Sequence, residues 1–431
     1  GYRSQPDRRQ SHPSSAVLAQ EKACESMRIE IAGRPHLTYC TNIHSGETWP
    51  EIFENIQRHV VPVKRKIAPD CAYGIGLRLS GQAAQTLSDQ TELDAFLRFL
   101  HDHNLYVFTI NGFPHGTFHG TAVKEKVYLP DWLEEERLTY ADRCAAILAS
   151  LLTDHPDIEG SISTVPGSFK RRVRSDQDVS RIASQLLRHA AALHRLHETT
   201  GRVITCALEP EPCCLLETTA EAVSFFTTHL FGAGAVADFS RLTGLGTSQA
   251  EEALRQHLGV CLDACHAAVE FEDPDETLSA YRDAGIRILK IQLSAGLRIA
   301  RLNRDLLTAL QPFAESTYLH QVVERSGTEL TRYVDLPPAL HTARGREATD
   351  ASQREWRIHF HVPLFLQRLG LFENTQPFLT RLLQLQVERM PTTHLEIETY
   401  TWDVLPEEHR TMSVVDAITR EIQWVIEALR R

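Results

Sequence analysis

No stretch of the sequence approaches the ~20 consecutive apolar residues that a membrane-spanning helix requires. The first thirty residues are too polar to contain the apolar core of a secretory signal. Together these absences lead to the expectation of a cytoplasmic protein, not a membrane protein. Positive charge is also in short supply, with 45 Lys and Arg against 56 Asp and Glu and a formal net charge of -11. A duplex-binding surface carries a clustered cationic excess to neutralise phosphates, so nucleic acid is not an expected partner. The nine cysteines (24, 40, 71, 144, 206, 213, 214, 261 and 265) include no Cys-x-x-Cys pair. A chain this long needs no disulfide staples, so free thiols are expected. Vicinal Cys213 and Cys214, and Cys261 with Cys265, lack the second pair of a thiolate zinc site and read as small buried hydrophobes. No G-x-G-x-x-G or G-K-S loop follows the first strand candidate, which removes the main signal for a doubly wound nucleotide-binding sheet.

What is present is ordinary globular composition: 431 residues, 42% hydrophobic and 23% charged. The length suits two or three domains of roughly 150 residues, or one large α/β barrel with insertions. Residues 1–26 are Ser-, Arg- and Pro-rich without apolar periodicity, and are expected to be a disordered extension ahead of Met27. From Leu37 onward, short apolar runs alternate with stretches of helical period. Eight strand candidates result: Leu37–Ile43, Ala72–Leu79, Leu105–Asn111, Gly160–Thr164, Val203–Glu209, Gly259–Asp263, Ile286–Leu293 and Leu395–Tyr400. Helix starts are signalled by Thr48 before Trp49-Pro50-Glu51, Ser175 with Asp178, Thr218 with Glu221, and Ser413 with Asp416. Eight β/α units in succession predict a closed (β/α)8 TIM barrel over residues 27–431. One insertion, about 316–356 and read as a β-hairpin over the mouth, falls between the seventh and eighth units. The Gly-rich stretch 232–246 reads as a surface loop.

In such a barrel only the loops after the strand C-termini converge on one mouth, so chemistry is sought at those strand ends. The fifth candidate ends in Leu208-Glu209-Pro210-Glu211, the sixth in Asp263-Ala264-Cys265-His266, the seventh in Gln292-Leu293-Ser294 and the eighth in Glu396-Ile397-Glu398. A lone acid there would most simply pair with a neighbouring Arg or Lys. Acids recurring at three strand ends instead point to a divalent-metal site, with Mn, Mg, Co and Zn all compatible.

The segments ALEPEP, CLDACH and HLEIET resemble the xylose isomerase-like TIM barrel superfamily. TYCTNIHSGETW, INGFPHGTFHG, STVPGSFK, LHQVVER, HFHVPLF and HLEIETYTWDVLP more closely resemble the EboE-type metabolite traffic proteins of bacteria, over about Leu37 to Pro406. The resemblance implies a sugar or cyclitol isomerase or epimerase with one divalent metal. That metal binds two adjacent substrate oxygens and stabilises an enediolate, while two carboxylates move a proton. It carries over to Glu209 and Glu396 as ligands and proton-transfer groups, to Asp263 as a ligand, to His266 as a substrate contact, and to Glu217 as a substrate-binding acid. It also implies a membrane prenyltransferase encoded in the same gene cluster as a working neighbour. The oligomeric state does not follow.

The sequence departs from the superfamily at Gln292, where a histidine ligand is usual. Either the ion is hard enough to accept an amide oxygen, or the imidazole comes from elsewhere. His359 and His361 alternate with apolar residues and so share one face of an extended segment. Glu398 likewise faces the same way as Glu396 and competes with it as the ligand. In the early loops His44, Asn42, Asn111, His115 and His119 read as substrate-pocket residues, and Lys170, in a short basic run after the fourth strand, as a receptor for an anionic group. Two functions stay open: a metal-dependent isomerase or epimerase, and a binding protein that holds or hands over a metabolite without transforming it.

Overall fold

The computed structural model describes residue 31 and residues 33–345 and 353–431. The expectation of a disordered extension over 1–26 lies outside the described residues, as does part of the 316–356 insertion. Eight parallel strands form one sheet: β1 (His36–Tyr39), β2 (Tyr73–Arg78), β3 (Leu105–Asn111), β4 (Gly160–Thr164), β5 (Ile204–Leu208), β6 (Leu258–Asp263), β7 (Arg287–Leu293) and β14 (His394–Ile397). They follow the order β1-β14-β7-β6-β5-β4-β3-β2, and a parallel bridge from Cys40 to Gly76 joins the two ends. Every residue of these strands except Arg287 is buried, as a sheet covered on both faces requires. The molecule is a (β/α)8 TIM barrel.

The closing seam depends on a missing side chain. A Cβ on Gly76 would lie 2.2 Å from Oε1 of Glu396 and 2.7 Å from the Tyr39 carbonyl oxygen, so only glycine lets β2 approach β1 past the inward Glu396 carboxylate. The signalled helix starts are all present. Thr48, Ser175 and Thr218 make reciprocal capping boxes with Glu51, Asp178 and Glu221, and Ser413 accepts from the Asp416 amide.

Three readings change. The stretch 232–246 is not a loop but holds a helix, Ala233–Thr243, that buries Ala235, Val236 and Phe239. Its glycines are the ends: Gly232 precedes the first turn, and Gly244 closes the last one at φ 78°. Within 316–356, β9 (Val322–Ser326) and β10 (Glu329–Tyr333) pair antiparallel around Gly327 at φ 61°. The pair is one corner of a six-stranded antiparallel sheet, however. That sheet also contains β8 (Leu297–Ile299), β11 (Arg354–Ile358), β12 (Arg368–Leu369) and β13 (Phe372–Asn374), in the order β10-β9-β11-β8-β13-β12. All six strands have five residues or fewer, and β8, β11, β12 and β13 show too little alternation for a period to be read. Finally, seven cysteines are free and buried, but Cys71 is disulfide-bonded, a pairing that spacing alone does not reveal.

Candidate metal centre at the barrel mouth

Three carboxylates meet on the floor of the mouth because three strands end there. Glu209 directly follows β5, Asp263 ends β6, and Glu398 follows β14. One oxygen of each lies within 4.8 Å of the others, and all three side chains are buried. Burial first, then the charges of Glu398, Asp263 and Glu211, hold the Glu209 carboxyl well above the usual carboxylate value. Burial, then Asp263 and Glu396, do the same to Glu398. Burial also works to raise Asp263, but His266, His361 and two hydrogen bonds outweigh it and leave that carboxyl lowered. The bonds come from the Ser294 hydroxyl at 2.7 Å and the His266 amide at 3.0 Å. The second is an N-cap, so Asp263 both starts the helix Ala264–Val269 and fixes His266 beside itself.

Neutral donors steer the acids. Asn42 and Asn111 donate to Oε1 of Glu398 at 2.7 and 3.1 Å. The Gln292 amide NH2 faces Glu209, at 2.8 and 3.1 Å from its two oxygens. Gln292 is therefore a hydrogen-bond donor to the Glu209 carboxylate instead of presenting its oxygen to an ion, because in this orientation an acceptor-only carboxylate meets a donor.

Three imidazoles join the acids. His266 comes from the helix after β6, while His359 and His361 follow β11 in the inserted sheet. Nε2 of His266 is 3.1 Å from Nε2 of His359, which is 3.2 Å from Nε2 of His361. Oδ2 of Asp263 lies 3.9 Å from His266 and 4.0 Å from His361. Burial first, then neighbouring imidazoles, hold His359 well below the usual histidine value. Burial brings His361 down to about 4 against the pull of Asp263. Oxygen and nitrogen donors packed this closely, all buried, fit a divalent cation by ligand chemistry.

Above this floor is a cavity of about 50 Å³ with an apolar, largely aromatic wall that includes Phe113, Phe118, Tyr318, Leu319 and Tyr400. Phe118, Tyr318 and Tyr400 pack on one another with ring centroids 5.1 to 5.3 Å apart. Lys124, the cation in the lining, is held by the Asp335 carboxylate at 2.7 Å and by the carbonyl oxygens of Glu315 and Tyr318 at 3.0 and 2.6 Å. Oδ1 of Asn42 is buried without a hydrogen-bond partner among the described residues.

The other residues singled out in the sequence fall into three positions. Asn111 lines the cavity, along with Asn42, Glu209, His266, His359 and Glu398. Glu396 does not join the clustered ligand atoms. It lies one strand layer deeper, ion-paired with Lys290, both side chains fully buried, since residues two apart on a strand face the same way but stand about 6.6 Å apart along it. The remaining five are away from the cavity lining. His44 bonds the Tyr39 hydroxyl at 3.0 Å and stacks on His59. His115 packs edge-on against Tyr140. His119 is tied to the Asn42 carbonyl oxygen and the Tyr318 hydroxyl, both at 2.6 Å, and so props the wall from behind. Lys170 and Glu217 pair with each other and strap the loop after β4 to the loop after β5, where Cys213 N also donates to Glu217. Their mutual charge is already satisfied, which leaves Lys170 no unpaired charge for an anionic ligand. Sequence reasoning missed Glu211 and Gln321. Glu211 accepts from the Tyr128 hydroxyl at 2.8 Å and from Gln321 at 3.1 Å, and Oε1 of Gln321 holds Nδ1 of His359 at 2.7 Å. Glu211 was visible as the second acid of the LEPEP turn. Nothing local marks Gln321.

No helix of the described residues is long and apolar enough to cross a membrane. No protein-family model and no curated protein matches the chain. Among solved structures, the chain is similar to a xylose isomerase-like TIM barrel protein from Mycobacterium smegmatis in complex with magnesium, at 10% identity and a TM-score of 0.46 over 92% of this chain and 96% of that one. It is similar to an IolI protein with a bound zinc atom, at 12% identity and a TM-score of 0.43 over 91% and 98% of the two chains. It is also similar to the probable 3-DHS dehydratase AsbF of petrobactin synthesis from Bacillus anthracis, at 12% identity and a TM-score of 0.42 over 90% and 97%. At these identities and scores the likeness does not extend to activity.

Proposed function

We propose that the protein is a metal-dependent isomerase or epimerase of an uncharged sugar or cyclitol-like polyol, of the EboE-type metabolite traffic kind that its motifs resemble. On this reading it acts in the cytoplasm on an intermediate of a bacterial secondary-metabolite pathway, alongside the membrane prenyltransferase of that gene cluster. The observation that carries the proposal is the meeting of Glu209, Asp263 and Glu398 beneath an aromatic-walled cavity. Glu209, Asp263 and Glu398 would hold a divalent cation, Mn, Mg, Co or Zn, which would supply Lewis-acid polarisation of substrate oxygens.

The chain's own groups account for the rest. Glu209, which directly follows β5 and lines the cavity, is the group to carry a proton to or from a substrate carbon. Glu398 takes the part on the eighth strand that the sequence left open between it and Glu396, because Asn42 and Asn111 point it at the cavity. His266 borders the substrate at the edge of the floor, and Oδ1 of Asn42 accepts a substrate hydroxyl. The aromatic wall suits the C–H face of a ring. With Lys124 already engaged, the lining offers no unpaired cation for a phosphate, which favours an uncharged polyol.

The test is exchange of substrate hydrogen with solvent. Metal-loaded protein in D2O is incubated with free hexoses and inositols and followed by proton NMR. The expected result is deuterium at one carbon of at least one polyol, slowed about 100-fold or more in Glu209→Gln at matched metal content. Bound metal without exchange on any polyol would overturn the isomerase reading in favour of a protein that holds or hands over a metabolite.

A further inference from the structure

The three imidazoles pose a problem that the carboxylate site does not solve. Each Nδ1 faces an oxygen that can only accept: the Pro210 carbonyl for His266 at 3.0 Å, Oε1 of Gln321 for His359 at 2.7 Å, and the Glu398 carbonyl for His361 at 2.7 Å. The Gln321 orientation is fixed by its amide NH2, which donates to the Tyr128 hydroxyl, Glu211 and the Pro212 carbonyl. All three Nδ1 atoms therefore carry the ring proton, and all three Nε2 atoms present bare lone pairs. Those lone pairs converge at 3.1 and 3.2 Å, an arrangement that is repulsive on its own. The Tyr400 hydroxyl, 3.4 Å from Nε2 of His359, brings one proton to a group of three acceptors.

We infer that His266, His359 and His361, together with Asp263, form a second cation position beside the carboxylate one, so that the mouth holds two divalent ions that share Asp263. The inference deepens the reading of the mouth as a metal centre and is independent of the reaction proposed. The spacing supports it. Ligands at 2.0–2.1 Å from a tetrahedral ion are about 3.3 Å apart, close to the two Nε2 separations. Oδ2 of Asp263 lies 3.9 and 4.0 Å from His266 and His361, and the ligand atoms of these three residues all lie within 4.8 Å of one another. An imidazole whose other nitrogen donates to a carbonyl is the usual second layer of a metal ligand, and here all three histidines have it. The chemistry of the two positions differs. Three nitrogens and one oxygen favour a borderline ion such as zinc or cobalt, while the all-carboxylate position suits a harder ion such as magnesium or manganese. Gln292, turned toward Glu209, supplies no nitrogen ligand, and the inserted sheet supplies two.

The experiment is titration of the chelator-stripped, untagged full chain with Co(II), reading bound equivalents and the visible absorption of nitrogen-ligated tetrahedral cobalt. The expected result is two equivalents for the unaltered protein. His359→Gln, which keeps bulk at the site, should bind one equivalent and lose most of the visible band. Glu398→Gln should also bind one but keep the band. Circular dichroism confirms that both variants fold, and His361→Gln serves as an independent second probe of the imidazole side. One equivalent in the unaltered protein would overturn the two-ion inference and leave the single-metal proposal standing. Two equivalents retained by both folded imidazole variants would overturn it as well. No bound cobalt would remove both readings.

Discussion

Glu396 and Glu398 illustrate how much is decided at a single side chain. Both point into the barrel, but the lower one pairs with Lys290 of the neighbouring strand β7 while the upper one reaches the mouth. A fully buried ion pair that loses one partner leaves an uncompensated charge, which costs about 3–5 kcal/mol. Glu396→Gln is therefore expected to lower the urea midpoint strongly while the folded fraction keeps its full metal content. Glu398→Gln should lose metal with a smaller change in stability. Metal analysis beside urea unfolding checks the pair, and the reverse pattern would return the ligand role to Glu396. A second prediction concerns Gln321, which touches no proposed ion but orients His359 through Nδ1. Gln321→Leu is expected to weaken binding on the imidazole side by about 10–100-fold, read by cobalt titration, without altering the carboxylate side.

Among the elements, helix starts were legible because a cap is local: Thr48, Ser175 and Thr218 each lie three residues from the acid that completes the box. The inserted sheet was largely illegible because its strands are short and pair with partners distant in sequence. Helix packing adds an ionic contact the sequence does not signal. His189, fully buried on the helix Asp176–Thr200, meets Asp142 of the helix Glu135–Leu151 at 2.6 Å. Burial works to lower His189, but hydrogen bonds to Asp142 and Cys206 prevail and raise it to about 10. A histidine raised in the folded state contributes stability that is fully present below its unfolded value, about 6.5, and lost as pH rises through the folded one. The loss of stability in Asp142→Asn is thus expected to be largest below pH 6.5 and to shrink as pH approaches about 10. Paired urea melts of the two proteins at pH 6 and pH 9.5 check this, and an equal loss at both would refute it.

At the scale of the whole molecule, the proposed ions link β5, β6, β14 and the inserted sheet, whose residues meet in the native state alone. Ligands that bind only the folded chain stabilise it by mass action, by about 2.7 kcal/mol at a free concentration 100 times the dissociation constant. Chelation is expected to lower the thermal midpoint, and added Mn, Co or Zn to restore it, measured by differential scanning calorimetry. An unchanged midpoint with and without chelator would argue against metal at the mouth.

What the sequence determined by itself is what short-range physics encodes: the alternation of strand and helix that makes a barrel, the caps, and the acids placed where strands end. The Asp263-x-x-His266 pair belongs here too, since an N-cap and the third residue of its helix are neighbours by geometry alone. Tertiary structure alone decided which glutamate of the eighth strand meets the cavity, that Gln292 serves Glu209, that Lys170 and Glu217 satisfy each other, and that His359 and His361 converge on His266 from 93 and 95 residues away. The reason is physical. Strand direction repeats every two residues and can be read locally, whereas the layer a side chain occupies depends on register and on the tilt of a closed sheet, which is settled only when the sheet's two edge strands meet at Gly76.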